Sequence, residues 1–159
     1  MAKINELVKF EDIWDEAIVN PMKSITVANG YENDLCFLNG WLIHYALDIS
    51  RGLNGWSFPS VGVHSDDEII NIQSRGSRHD SISSENTRSF TIDVAVDVIS
   101  DRETLLNRME SALRDIKKAV ATVKTRNVTL TRVKFQIPED SEIYAFIIIS
   151  GEIKFNEQW

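Results

Sequence analysis

The stretch Ser-Phe-Thr-Ile-Asp-Val-Ala-Val-Asp-Val, residues 89–98, carries the clearest folding signal in the chain. Apolar residues alternate in it with small or acidic ones, which predicts a β-strand with one buried face and one solvated face. Ser100 and Glu103 follow at the spacing of a capping box, whose side chains satisfy free backbone N–H groups at the start of a helix. The segment therefore predicts a strand that leads directly into a helix.

Two main helices are predicted from apolar residues that recur every three or four positions. The second and clearer one follows Ser100 and runs to about Lys124. Its apolar face consists of Leu105, Met109, Ala112, Leu113, Ile116, Val120 and Val123. The first has Leu7, Phe10, Ile13, Trp14, Ala17 and Ile18 on one face. Asn20-Pro21 either interrupts it or begins a second short helix, and Asn29-Gly30 favours a helix end.

Further strands are predicted on both sides of the second helix. Asn39-Gly40 between two apolar runs indicates a β-hairpin. Short strands are expected around residues 61–63 and 69–72, and two long ones over about 133–137 and 142–156. Tight turns between strands favour antiparallel neighbours.

These elements predict one α+β domain over residues 1–159. We expect an antiparallel, or mixed, β-sheet with the two main α-helices packed on one face, as a two-layer sandwich. Residues 74–87 contain one apolar residue, Ile82, and are predicted to form a mobile loop.

Composition excludes several classes of protein. The 159 residues include 24 Asp and Glu against 17 Lys and Arg, which gives a formal net charge of -7. The chain therefore lacks the cationic footprint of a protein that binds nucleic acid or an anionic membrane. Early acidic residues argue against a signal peptide, and the longest apolar run, 144–150, is too short to span a bilayer.

Motifs that carry chemistry are sparse. The seven glycines form no phosphate-binding loop, and the single cysteine, Cys36, lies in an apolar strand where an inert role is favoured. His64-Ser65-Asp66-Asp67-Glu68 has metal-ligand residue types, but its spacing matches no defined metal loop and favours a solvated turn. His79-Asp80 lies in the predicted mobile loop, and Asp93 and Asp97 are expected to be solvated carboxylates on an open sheet face. No catalytic residue, metal ligand or cofactor is assigned.

Candidate interface residues are large aromatic side chains near loops, arginines near residues 74–87, and the second apolar face of the last strand. They are Trp41, Trp56, Arg75, Arg78, Arg88, Tyr144, Phe146 and Trp159. The aromatic residues either contact a partner or cover the ends of the core. The arginines either contact phosphate or an acidic partner, or only keep the loop soluble.

Four features together resemble the tail terminator, or tail completion, proteins of long-tailed bacteriophages. The first is a helix that ends in Lys23-Ser24-Ile25-Thr26-Val27-Ala28-Asn29-Gly30-Tyr31 before Asp34. The second is a strand opened by Phe58-Pro59, and the third is an arginine-bearing strand over 88–98 followed by an amphipathic helix. The fourth is a C-terminal strand with Gly151-Glu152-Ile153-Lys154-Phe155. The long stretch between the Asn39-Gly40 hairpin and Phe58 departs from the family pattern.

The resemblance implies a structural virion protein without a catalytic site. Members of the family form a homo-hexameric ring that caps the tail tube, stops its elongation and presents a surface to the neck proteins of the head. DNA would pass through the lumen without specific binding, which suits an acidic chain. The expected partners are further copies of the chain, which are either monomeric or already associated before assembly, together with the tube and neck proteins. The expected location is the virion tail, assembled in the host cytoplasm.

Two other functions stay open at this point. The chain could be a different neck connector or a tail-assembly factor, which would share the fold type and bind elsewhere in the particle. It could also be a small metal-dependent enzyme that uses the acidic cluster near His64.

Overall fold

A computed structural model of the chain describes residues 9–75, 82–99, 101–136 and 143–158. The helices are α1 (Phe10–Trp14), a π-helical turn (Asp15–Val19), α2 (Asn20–Lys23), α3 (Ala46–Ser50) and α4 (Leu105–Ala121), with 3₁₀ turns at Val27–Asn29, Leu42–His44 and Leu53–Gly55. The strands are β1 (Cys36–Asn39), β2 (Ser60–Arg75), β3 (Ile82–Asp97), β4 (Asn127–Gln136) and β5 (Tyr144–Gln158).

The five strands form one mixed sheet in the order β1-β2-β3-β5-β4. β1 pairs in parallel with the start of β2, and the three other pairings are antiparallel. β3 is paired along its whole length, because its 16 residues lie between β2 and β5. The predicted α+β class and the mixed sheet are confirmed.

The main core lies between the sheet and the helices. The alternate residues of β3 that the sequence assigned to the buried face are fully buried there, with Phe90, Ile92 and Val94 each at 0 % exposure. The helical segment 10–23 and α4 contribute to this same core, as do alternate residues of β2 and β5. Both main helices therefore cover the same face of the sheet, as predicted.

A smaller core covers part of the opposite face. Its buried members are Leu38, Leu42, Ala46, Ile49, Ala95 and Phe146. Gly62 permits this packing, because a Cβ there would come within 2.9 Å of both the Gly40 carbonyl oxygen and the Leu42 Cβ. The segment 40–50 thus lies directly on the sheet as a partial third layer, which the sequence did not predict.

The N-terminal helical segment does not break at Asn20-Pro21. The π-helical turn at Asp15–Val19 precedes the proline, and the backbone stays right-handed helical from Asp15 through Ser24. A π turn is wider than an α turn, which relieves the contact between a proline ring and the preceding turn. The predicted helix end at Asn29-Gly30 is confirmed, since Gly30 has a left-handed φ of 89°.

The predicted hairpin at Asn39-Gly40 is wrong. β1 pairs with β2, and the chain after Gly40 turns into a 3₁₀ helix that buries Leu42 completely. Burial of Leu42 in the smaller core outweighs the local turn preference of the dipeptide.

The predicted mobile loop over 74–87 is also wrong for the residues that the structure describes. Residues 74–75 end β2 and residues 82–87 begin β3, while 76–81 lie outside the described residues. The serine-rich start of β3 is ordered because it has a strand on each side. It pairs with β2 from Ile82 opposite Arg75, and with β5 from Ser83 opposite Gln158. Backbone pairing stabilises this segment without an apolar pattern.

The helix α4 begins later than the predicted capping box implies. It starts at Leu105, and Ser100 lies outside the described residues. The Glu103 N–H donates to the Asp101 carboxylate instead, at 3.0 Å.

A buried aspartate ties α4 to the segment that follows Gly30. Asp115 has 2 % exposure, and its carboxylate accepts the backbone N–H groups of Glu32 and Asn33, each at 2.9 Å. It also accepts the side-chain amide of Asn33 at 2.9 Å. These bonds fix the chain just before β1 and therefore the position of β1 at the sheet edge.

We expect Asp115→Ala to lower the free energy of unfolding by about 2–4 kcal/mol, because it leaves three donors without their carboxylate acceptor. Lys117→Ala on the exposed side of the same helix is the matched control and should change it by less than about 0.5 kcal/mol. Urea unfolding of both variants measures the difference. Equal stability of the two variants would show that the Asp115 bonds do not hold this segment.

Candidate functional site

The outer edge of β2 is open over most of its length. β1 covers only Ser60 to Val63, and among the described residues no strand pairs with the outer side of β2 from Ser65 to Arg75. We call residues 65–75 of this strand the β2 edge. An open edge presents unpaired N–H and C=O groups, which form a template for another strand.

Three isoleucines make the β2 edge apolar. Ile69, Ile70 and Ile72 have 71 %, 51 % and 43 % of their surface exposed. Ile69 lies opposite Thr87, on the face away from the main helices, and Ile70 and Ile72 lie on the helix side. Monomeric proteins usually protect such an edge with charge, a bulge, proline or a covering segment, and in the β2 edge the bulge and the acidic residues lie before Ile69. An edge that is long, open and apolar indicates a contact surface.

The start of the β2 edge is acidic and irregular. A β-bulge between Ser65 and Glu68 holds Asp66 and Asp67, both of which are exposed. The predicted solvated turn at residues 64–68 is therefore wrong, because the segment is part of a strand. Bulges commonly occur at sheet edges and redirect side chains there.

His64 lies between two carboxylates next to this bulge. Its Nδ1 is 3.0 Å from Asp66 Oδ1, without the alignment of a hydrogen bond, and its Nε2 is 3.6 Å from Asp93 Oδ2. The Thr91 hydroxyl donates to Asp66 at 2.6 Å. Asp93 is thus not the freely solvated carboxylate that the sequence predicted, since its side chain is 17 % exposed and faces the imidazole.

Burial raises the pKa of Asp93, an effect that nearby His64 opposes and nearby Asp66 reinforces. Among residues 9–75, 82–99, 101–136 and 143–158, no group of three His, Cys, Asp or Glu side chains has the geometry to hold a metal ion. The His64 cluster is best described as a partly buried charge cluster at the root of the β2 edge.

Trp41 covers this cluster from the outside. Its ring stacks on His64 with centroids 4.9 Å apart, and it is 54 % exposed. Ile43 and Leu47, in the same segment, are also more than half exposed. The predicted role of Trp41 as an interface residue stays a prediction, and the structure places this side chain beside the β2 edge.

The opposite edge of the sheet is basic. β4 is the last strand in the order, and its outer side is unpaired in the part of the chain described. Arg132 and Lys134 are exposed on it and form no ion pair with another described residue. Val128, Leu130, Val133 and Phe135 on the helix side are only partly buried. We call this outer side of residues 127–136 the β4 edge.

Two of the predicted interface residues serve the chain's own fold. Arg88 forms an ion pair with Glu68 at 2.8 Å and lies 3.8 Å from the centroid of the Phe10 ring. Phe146 is 7 % exposed and belongs to the smaller core. Neither side chain is free for a partner, because both are held by neighbours that the sequence did not identify.

The remaining predicted interface residues differ in position. Trp56 and Tyr144 are half-buried around the smaller core, which fits the alternative that these aromatic residues cover the ends of a core. Arg75 ends β2, and its side chain is outside the described part of the structure, as are Arg78 and Trp159. His79-Asp80 also lies outside the described residues.

A cleft of about 490 Å³ lies at the other end of the sheet, beside Trp56, Phe58 and Arg108. The Arg108 guanidinium is already engaged, since it donates to the Asp97 carbonyl oxygen at 2.6 Å and to the Asp101 carbonyl oxygen. The other charged residue of the lining, Asp97, accepts the Ile99 N–H at 2.8 Å, so both charged groups already have partners and the cleft is a weaker candidate than the β2 edge.

The sequence did not identify the β2 edge as the site. The signal was present in Ile69, Ile70 and Ile72, where apolar residues occupy both faces of one strand. A strand with apolar residues on both faces is either covered on both sides or available for contact. Sequence alone could not show whether this strand is covered or available for contact, because the answer depends on how far β1 extends along β2.

No family model matches the chain, and the search of curated proteins returned no match. Of the helices in the described residues, none combines the length and the apolar character needed to cross a membrane.

We expect Asp93→Asn to be more stable than the unaltered protein at neutral pH. Burial raises the pKa of Asp93 in the folded protein above its ordinary value of 3.8. The neutral carboxyl therefore stabilises the fold fully when the pH is below 3.8, and this contribution is lost as the pH rises through the raised pKa of the folded state. Asparagine stays neutral, so the advantage of the variant should disappear in acid. Urea unfolding at a series of pH values measures the difference in the free energy of unfolding between the two proteins. A difference that is independent of pH would contradict the raised pKa of Asp93.

Proposed function

We propose that this chain is a structural subunit of a bacteriophage tail that forms a ring on the end of the tail tube. The ring would end tube elongation and provide the surface to which the neck of the head attaches. The single observation that carries the proposal is the open, apolar β2 edge, which is a surface for assembly. The α+β fold and the family resemblance of the sequence support it.

The charge of the chain is consistent with a ring around DNA. A conduit must let the duplex pass without gripping it, and a net charge of -7 repels phosphate. The proposal requires no bound cofactor or metal, and its partners are further copies of the chain, the tube protein and a neck protein.

A ring requires two different surfaces on each subunit, because a head-to-tail contact joins one patch to another. The described sheet has two such surfaces, the acidic and apolar β2 edge and the basic β4 edge. A subunit with a single self-complementary patch would form only dimers.

The test is electron microscopy of particles from the parent genome with this gene deleted. We expect tails of uncontrolled length that are not joined to filled heads, because nothing would stop tube growth. A plasmid copy of the gene should restore normal tails. A copy with Ile70→Lys and Ile72→Lys should not, because both changes add charge to the β2 edge.

The matched control for the plasmid copy is Lys117→Glu, a change of an exposed lysine on α4 that belongs to neither edge, and this copy should restore normal tails. Tails of normal length beside unjoined heads would contradict termination and favour a neck connector. Unaffected particles would contradict a structural role in the tail altogether.

A further inference from the structure

We infer that copies of this chain join head to tail, with the β2 edge of one copy pairing with the β4 edge of the next. The occupant of the open β2 edge is thus a second copy of the chain. The inference deepens the proposed function. The contact between copies stands by itself, and only the closure of these contacts into a ring rests on the proposed function.

Strand direction permits this contact. β2, β3, β5 and β4 are antiparallel in turn, so β4 runs opposite to β2. A second copy placed beside the first in the same orientation brings its β4 against the first copy's β2 as an antiparallel pair. The two sheets then continue into each other, with the helices of both copies on the same side.

Charge supports the pairing of these two edges. Asp66 and Asp67 give the β2 edge negative charge, and Arg132 and Lys134 give the β4 edge positive charge. A parallel pairing of two β2 edges would instead bring their acidic ends together. Complementary charge fixes the orientation and register of a contact and disfavours the wrong partner.

Apolar residues match on the helix side. Ile70 and Ile72 are exposed there on β2, and Val128 and Leu130 are only partly buried there on β4. Pairing of the two edges would bring these two sets next to each other on the helix side of the joined sheet.

A single register satisfies charge and apolar contact together. Two rows of directly paired residues cross the sheet, one made of Arg132, Ser150, Thr91 and His64, and the other of Val128, Ile153, Arg88 and Glu68. A shift of two residues along the strand sets Arg132 of one copy opposite Asp66 of the next. The same shift sets Val128 opposite Ile70, and each pair lies on one face.

The shift leaves most of β4 clear of β1. β1 occupies the outer side of β2 as far as Val63, so residues 127–134 of the shifted β4 pair with the part beyond it, and the pairing ends before Phe135.

The test uses two variants that each remove one edge. The first is Ile70→Lys with Ile72→Lys on β2, and the second is Arg132→Glu with Lys134→Glu on β4. Sedimentation of the unaltered protein at its highest soluble concentration should show assemblies larger than dimers. Each variant alone should sediment as a monomer, with at least about a tenfold weaker association. Lys117→Glu, on the exposed side of α4, should sediment as the unaltered protein does.

An equimolar mixture of the two edge variants decides between contact types. The first variant keeps its β4 edge and the second keeps its β2 edge, so the mixture should form heterodimers and nothing larger. Recovery of a heterodimer also shows that both variants are folded. A mixture that stays monomeric, or a β4-edge variant that dimerises alone, would overturn the inference, as would monomeric behaviour of the unaltered protein.

Cysteine pairing tests the register. In a Cys36→Ser background, Ile70→Cys with Val128→Cys should oxidise to a ladder of covalent oligomers, because opposite Cβ atoms in an antiparallel pair lie about 5 Å apart. Ile70→Cys alone should form no covalent dimer. Covalent dimers of that single variant would show β2 paired with β2 and would overturn the inference.

These results separate the inference from the proposed function. Edge-dependent association in solution with unaffected phage tails would keep the inference and reject the tail role. Uncontrolled tails with association that ignores both edges would do the reverse.

Discussion

The difference in length between β1 and β2 is the constraint on which the rest of this structure depends. β2 has 16 residues, and β1 pairs with only the first four of them. Asp115 holds the segment before β1 in place through three hydrogen bonds, and after Asn39 the chain leaves the sheet to bury Leu42. The outer side of β2 beyond Val63 consequently stays open in the described residues, whereas its inner side is paired with β3.

The polar residues beside the open edge form one cluster at the start of that edge. His64, Asp66 and Asp93 form a partly buried cluster whose charges compete, since burial raises the pKa of Asp93 and the imidazole opposes that shift. The bulge directs Asp66 to the face on which Thr91 and Asp93 lie. Negative charge is therefore concentrated at one end of the β2 edge, and the three isoleucines follow it along the strand. Such a division of a strand into charged and apolar parts favours one register over its alternatives.

The sequence predicted the parts of the fold that depend on regular periodicity. The α+β class, the alternating strand 89–98 and the long helix after it were all accessible, because each depends on one repeat of apolar residues. The errors occurred where a distant contact outweighs local preference. Asn39-Gly40 is a strong turn signal, yet burial of Leu42 directs the chain elsewhere. Residues 82–87 are polar, yet strands on both sides order them.

The candidate site was less accessible from the sequence than the fold. Trp41 was identified by its type and now lies beside the β2 edge, whereas Arg88 and Phe146 were identified by the same reasoning and are held inside the chain. A side chain's availability depends on its neighbours in space, and Phe10 and Glu68 are far from Arg88 in the sequence. The isoleucines of β2 needed knowledge of the length of β1 before they could be recognised as exposed.

Hydrogen–deuterium exchange over a range of protein concentrations tests the central claim most directly. The account predicts that the outward amides of β2 between Ser65 and Asn71, together with those of β4, become protected as the concentration rises, while β3 stays protected throughout. Exchange in the β2 edge that is fast at every concentration would contradict the claim that this edge joins copies of the chain.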